Sequence, residues 1–288
     1  MLRSAASSRA ASSAISKSST PARFFRPVSS SQLHRSTVGV VVTAAATTAS
    51  TATPRSGRAA AARATMPPRV AAAASNTAQD ASPKRVLVPV ADGSEEMEVV
   101  IVVDVLRRAG ASVTVASAEA DGRLAVTCSR GVLLTADATL DAALGAVSPF
   151  DLIVVPGGMP GAERLAGNAA LTAALRAQRE AGRPVAAICA APAVVLEAQG
   201  LLPAGQPATA HPAFSGKLAN QASVDERVAV ATGSGGLVVT SRGPGTAFEF
   251  ALALVALLCG EAKAREVAGP MVMQQGWEDS VHKVLVGA

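Results

Sequence analysis

The chain has 288 residues, 49% hydrophobic but only 2% aromatic and without tyrosine, so Ala, Val and Leu must fill any core and base-stacking on single-stranded nucleic acid is disfavoured. The net charge of +5 is unevenly placed. Residues 1–80 hold ten of the 26 Lys and Arg and one of the 21 acids, Asp80, while the remaining 16 basic and 20 acidic residues leave 81–288 at −4, with no electrostatic reason to seek nucleic acid.

Residues 1–80 are rich in Ala, Ser, Thr and Arg and have no acid before Asp80. No continuous apolar run lies near the start, and the best one, Val38 to Val42, is far too short to span a bilayer. The composition is that of an organelle transit peptide. Its length and Ser/Thr/Ala bias favour a chloroplast, and its early arginines would also suit a mitochondrion. Residues 81–288 are then the mature body, a single domain with a C-terminal tail.

The body opens with a strand, Arg85 to Val90, and a turn, Ala91-Asp-Gly-Ser94, with Ser94 expected as the N-cap of the next element. Glu95, Glu96 and Glu98 fall in a first helical turn, where the dipole favours carboxylates. Val99 to Val103 would also tolerate a strand, but the acidic start, Arg107 and Arg108 in the last turn, and Gly110 as a stop decide for a helix. Ser112 to Ala116 is a second strand, and the β-α-β order predicts a parallel sheet covered on both faces. Two short runs flank Ser129-Arg-Gly131 and predict an antiparallel excursion.

Asp151 to Val155 is a buried strand ending in Pro156-Gly157-Gly158, where paired glycines let backbone N–H groups approach a ligand oxygen. No Gly-Lys-Ser/Thr follows, so this is not a P-loop. A helix over 162–181, stopped by Gly182, leads to Val185 to Ile188, a short buried strand. Cys189 follows directly, with Pro192 in the first turn of a helix that runs to Gln199. A cysteine at that corner projects from the carboxyl end of the sheet, and the helix N-terminus favours its thiolate. The layout is a nucleophile elbow with sulfur in place of hydroxyl. The plain alternative is an inert, buried cysteine.

His211-Pro212 comes 22 residues later. Two strands, Val228 to Ala231 and Leu237 to Ser241, join through the turn Gly233-Ser-Gly-Gly236. A core helix over Ala247 to Cys259 is too short to cross a membrane, and Cys259 is expected to pack on it. The tail from Met271 carries Trp277 and His282 and forms a last helix or lies on a partner. Three cysteines without paired spacing make neither a disulfide framework nor a zinc site, and no cofactor or metal is expected.

Several segments together resemble the DJ-1/PfpI superfamily, in the branch around the parkinsonism-associated protein. They are Ala91-Asp-Gly-Ser-Glu-Glu-Met-Glu98, Cys128-Ser-Arg130, Val155-Pro-Gly-Gly158, Ala186-Ala-Ile-Cys189-Ala, His211-Pro212 and Thr240 to Phe250. The resemblance covers about residues 84–270. It implies a flavodoxin-like, doubly wound α/β fold, a mostly parallel sheet with helices on both faces, and a homodimer. It implies that Cys189 is the nucleophile, Glu98 the buried carboxyl on its sulfur, and His211 the pocket histidine. Gly157, Gly158 and Ala190 match the backbone donors, Arg130 an arginine at the pocket mouth, and Arg108 one near the dimer contact. Helical spacing does not separate Glu98 from Glu95 and Glu96, which read as solvated carboxylates; the resemblance selects Glu98. Ala190 stands where the family's proteases carry histidine, so that dyad is missing. Thr135 stands at the third family cysteine, which weakens a multi-cysteine redox relay.

The expected activity is that of a cofactor-free glyoxalase turning the 2-oxoaldehydes methylglyoxal and glyoxal into lactate and glycolate, with deglycase activity on glycated amines through the same thiolate. The alternative is an oxidative-stress sensor or redox-regulated chaperone acting through Cys189 oxidation.

Overall fold

A computed structural model describes residues 82–146 and 148–287. The segment expected to be a transit peptide lies outside the described residues.

Strand β1 (Arg85–Val90) runs into helix α1 (Glu96–Arg108), which returns the chain to β2 (Ser112–Ser117), parallel to β1. Val99, Val102, Val105 and Leu106 form the buried stripe of α1, the three-and-four spacing of a helix with one face on a sheet. The predicted excursion is a separate antiparallel hairpin, β3 (Ala125–Thr127) with β4 (Leu133–Thr135). A two-residue β5 (Ala138–Thr139) and short α2 (Leu140–Leu144) precede β6 (Leu152–Val155).

The helix expected over 162–181 is broken into α3 (Gly161–Ala166) and α4 (Ala169–Glu180). Gly167 ends the first, and the Asn168 side chain accepts the Leu171 N–H at 2.9 Å to cap the second. The next strand is β7 (Val185–Ile188). After it, Pro192–Glu197 forms one stretch of π-helix rather than a regular α-helix. Such wide turns concentrate at functional sites.

A single turn, α5 (Pro212–Ser215), precedes β8 (Val228–Ala231) and β9 (Val238–Ser241), an antiparallel pair as the glycine turn predicted. Helix α6 (Ala247–Cys259) is buried from Ala251 through Ala256. Helix α7 (Glu261–Ala268) follows, and the tail forms α8 (Glu278–Gly287), seated on α6 and β8 through Val281 and Val284. Cys259 does not pack: it is exposed where α6 ends.

The seven-stranded sheet has the order β5-β2-β1-β6-β7-β9-β8 and is parallel except for β8. Its central strands β1, β6 and β7 are apolar on both faces, as a sheet covered by helices requires. This is the flavodoxin-like α/β arrangement. The order reverses between β1 and β6, and at that reversal the carboxyl ends of β1, β6 and β7 open side by side, where such sheets hold their sites. Among the described residues no helix is long and apolar enough to cross a membrane.

Candidate active site

Three strand ends converge here. Beyond β7 the chain turns at once, and Cys189 makes the turn in the left-handed region with φ 66°. Its N–H donates to the Ser241 carbonyl at 2.9 Å and its carbonyl accepts the His211 N–H at 2.8 Å, which fastens the elbow to two neighbouring segments. The Gly158 and Ala190 N–H groups face the Cys189 sulfur closely enough to favour its thiolate.

Beyond β6, Gly157 passes so close that a Cβ there would lie 2.5 Å from the Cys189 Cβ and 3.0 Å from its sulfur. Only glycine fits. A Cβ on Gly158 would lie 2.3 Å from the Gly93 carbonyl oxygen, so the β6 and β1 turns interlock backbone against backbone.

Beyond β1, Glu98 enters the cluster from the first turn of α1, fully buried. Its Oε2 accepts the Gly157 N–H at 2.8 Å. Its Oε1 has no hydrogen-bond partner among the described residues, and the Cys189 side chain lies beside the carboxyl, where a thiol donating to it favours the carboxylate form. Protonation turns Oε1 from an unpaired buried acceptor into a donor available to the sulfur. Burial pushes the Glu98 carboxyl up to about 8, so it holds its proton at neutral pH.

The thiol moves opposite to the sequence expectation. Burial first, and then the charge that Glu98 would carry if ionised, push Cys189 up to about 12. The helix N-terminus does not lower it unaided, because Cys189 is only 8% exposed. The two groups titrate as a pair, and the proton lost first belongs to both. In the form with the proton on Glu98, the sulfur is relieved of the carboxylate charge and faces the Gly158 and Ala190 N–H groups and the neutral carboxyl.

The remaining predicted residues fall as follows. His211 is bonded to Cys189 through its backbone; its Nδ1 accepts the Ala213 N–H at 3.2 Å, which leaves the ring proton on Nε2. The Gly157 N–H, expected as a ligand donor, is spent on Glu98. The Arg130 guanidinium bonds the Ser129 carbonyl at 3.2 Å and does not reach the sulfur. Arg108 pairs with Asp104 at 2.6 Å on the exposed side of α1.

Two expectations for the acidic turn are corrected. Ser94 is not the cap: its Oγ accepts the Ala91 N–H at 3.0 Å, and the cap is Glu95, whose Oε2 accepts the Glu98 N–H at 2.8 Å. Nor are Glu95 and Glu96 solvated; both are buried. Glu96 is covered by the β3–β4 hairpin, whose Ser129 hydroxyl and Arg130 N–H both donate to it at 2.8 Å. Sequence reasoning missed Glu95 as the cap, because Glu is not among the residues that ordinarily cap a helix and Ser94 beside it is. Cys128, at the start of the loop between β3 and β4, is buried and pushed up to about 11 by burial and then by the charges of Glu96, Glu95 and Asp92.

Residues 84–257 match the model of the DJ-1/PfpI family. The chain is 47% identical over 184 residues to Protein DJ-1 homolog B of Arabidopsis thaliana, a match covering 64% of this chain and 40% of that protein. It is 43% identical over 186 residues to Protein dj-1beta of Drosophila melanogaster, covering 64% of this chain and 95% of that one. A Caenorhabditis elegans protein named as a glutathione-independent glyoxalase is 34% identical over 190 residues, covering 65% and 95%. Among solved structures, that titled Toxoplasma gondii DJ-1, oxidized, superposes with a TM-score of 0.61 at 44% identity, covering 66% of this chain and 98% of that one. The chain spans less than half the length of the two curated Arabidopsis relatives it matches, 40% and 44%.

Proposed function

The chain belongs to the DJ-1/PfpI family, and from that membership we propose that it is a glutathione-independent glyoxalase acting on methylglyoxal and glyoxal. The observation that carries the reading is the buried Glu98–Cys189 pair, which loses one of its two protons and keeps the other before the sulfur attacks. A family relative named for this activity supports it.

The chemistry follows from where that proton rests. With the proton on Glu98, the Cys189 sulfur attacks the aldehyde carbon, a C–S bond forms, and the carbonyl π pair moves to oxygen. The Gly158 and Ala190 N–H groups adjoin that oxygen as an oxyanion hole. Glu98 protonates the oxyanion and becomes a carboxylate. It then takes the proton from the former aldehyde carbon and returns it to the neighbouring ketone carbon. Over the same steps His211 relays the hydroxyl proton from the first oxygen to the second. The hemithioacetal thereby becomes an enediol and then a lactoyl thioester, with no external oxidant. Water attacks the thioester carbon, the C–S bond breaks, the thiolate leaves, one proton returns to Glu98 and one goes to solvent with lactate. Deglycase activity would use the same sulfur on the adduct of an aldehyde with an amine. The proposal includes a homodimer and delivery to the chloroplast, or alternatively the mitochondrion, for which the basic, acid-poor segment 1–80 is the support.

A second reading, a redox sensor or redox-regulated chaperone, is favoured by the relative whose structure is titled as oxidized. Peroxide would convert the thiolate to sulfenic and then sulfinic acid, with Glu98 as donor to the new oxygen.

Proton NMR of the full chain with methylglyoxal and no glutathione separates the two. Lactate should accumulate over many turnovers and be abolished in C189A, while H211A should lose about 10²- to 10⁴-fold. Stoichiometric loss of methylglyoxal as a cysteine adduct, without lactate, would overturn the glyoxalase reading in favour of the redox one.

A further inference from the structure

At the opposite end of β7 from Cys189 lies a cavity of about 720 Å³ that the cysteine chemistry does not use. The four-residue strand separates the two sites by about 13 Å. Arg176 and Arg179, from one face of α4, line the cavity together with Gly233, Ser234 and Gly235 of the β8–β9 turn. Among the described residues neither guanidinium has a carboxylate within 4.0 Å; each is bonded only to a carbonyl, Arg176 to Gln199 at 2.7 Å and Arg179 to Gly236 at 2.6 Å. Arg179 is half-buried, so its charge is partly stripped of water without an opposing charge in return. Two like charges three positions apart on one helix face repel each other. Such a pair costs stability unless a common counter-ion sits between them.

The loop is built for that counter-ion. Its glycine at 235 lies flat on the Arg179 side chain: a Cβ there would come within 3.0 Å of the guanidinium carbon. A Cβ on Gly236 would lie 2.4 Å from the Gly182 carbonyl oxygen, which locks the loop to the end of α4. The N–H of Gly236 closes the turn onto the Gly233 carbonyl at 3.0 Å. The N–H groups of Gly233, Ser234 and Gly235 donate to no acceptor among the described residues, and the Ser234 hydroxyl is exposed beside them. Consecutive free N–H groups on a glycine turn form an anion-binding concavity. Two arginines opposite add the forked donors suited to phosphate oxygens.

We propose that Arg176, Arg179 and the Gly233–Gly235 loop form a second binding site, for the phosphate monoester of a small organic molecule. The phosphate sits between the two guanidinium groups and the loop amides, and the organic body occupies the rest of the cavity, whose volume is in the range of small-molecule sites. Glu180, on the same rim, is the one carboxylate that opposes the ligand and limits its affinity.

Isothermal titration of the full chain with glycerol 3-phosphate, inorganic phosphate and glycerol tests the site. Glycerol 3-phosphate should bind saturably, inorganic phosphate more weakly, and glycerol not at all. R179Q should weaken binding about tenfold or more, as loss of a charge-assisted hydrogen bond does. Because R179Q also removes the seat of the glycine loop, the exposed R176Q serves as the second variant and should weaken binding without lowering the melting temperature. E180Q should strengthen it. C189A should bind as the wild type does, whether or not the chain proves to be a glyoxalase. Absence of saturable binding, undiminished binding in both arginine variants, equal affinity for inorganic phosphate and the monoester, or loss of binding in C189A would each overturn the proposal.

Discussion

Glu98 carries two opposed demands. Its burial makes the charged form costly, while the Gly157 N–H on Oε2 favours that form; burial wins, and the carboxyl sits at about 8. The sign of the stability effect follows. The folded pKa exceeds the unfolded value of about 4.5, so this contribution is fully present below about pH 4.5 and is lost as pH rises toward 8. Urea midpoints of the wild type should therefore fall relative to those of E98Q across that window. A parallel trend in the two proteins would refute the assignment. The same proton should govern reactivity. Alkylation of Cys189 by iodoacetamide should rise with an inflection near 8 that E98Q lacks, because the first proton released belongs to the pair. At Gly157 the constraint is steric rather than electrostatic. G157A must displace either the elbow or the β6 turn, at a cost of about 1–3 kcal/mol, read as a lower denaturation midpoint, together with loss of lactate formation.

At the scale of elements, the tail helix is the informative case. Trp277, the sole tryptophan, is 9% exposed and joins the main core with Val281 and Val284. W277A should destabilise the protein by about 3–5 kcal/mol in chemical denaturation; a change near zero would mean that α8 is not seated in solution. The strands other than β5, the glycine turn of β8–β9 and the β7–Cys189 corner were legible in the sequence, because short β-branched runs bounded by Gly and Pro admit few readings. The α3–α4 break was not. Ala, Leu and Arg on both sides of Gly167-Asn168 sustain helix propensity across it, and only the Asn168 cap marks the restart. The burial of Glu96 was also illegible, since it comes from a hairpin 33 residues away in sequence. The spending of the Gly157 N–H on Glu98 likewise depends on two segments that pair only in the folded sheet.

For the molecule as a whole, charge divides the chain where composition does. Residues 81–288 carry a net −4, and the basic excess resides in 1–80. Fused ahead of a fluorescent protein, residues 1–80 should direct it to chloroplasts in plant cells. Mitochondrial fluorescence would select the alternative, and a diffuse cytosolic signal would refute the targeting proposal.

The left-handed φ of 66° at Cys189 has a consequence for selection. For a residue with a Cβ, that backbone costs about 1–2 kcal/mol, whichever L side chain stands there. Alanine and serine replacements inherit the penalty along with the loss of sulfur, so they gain no stability from relief of strain. Glycine alone escapes it. C189G should therefore melt higher than C189A and C189S, despite being equally inert. If so, the fold would drift toward glycine at its most reactive position once purifying pressure on the chemistry was relaxed. A cysteine kept there would be a running record of use.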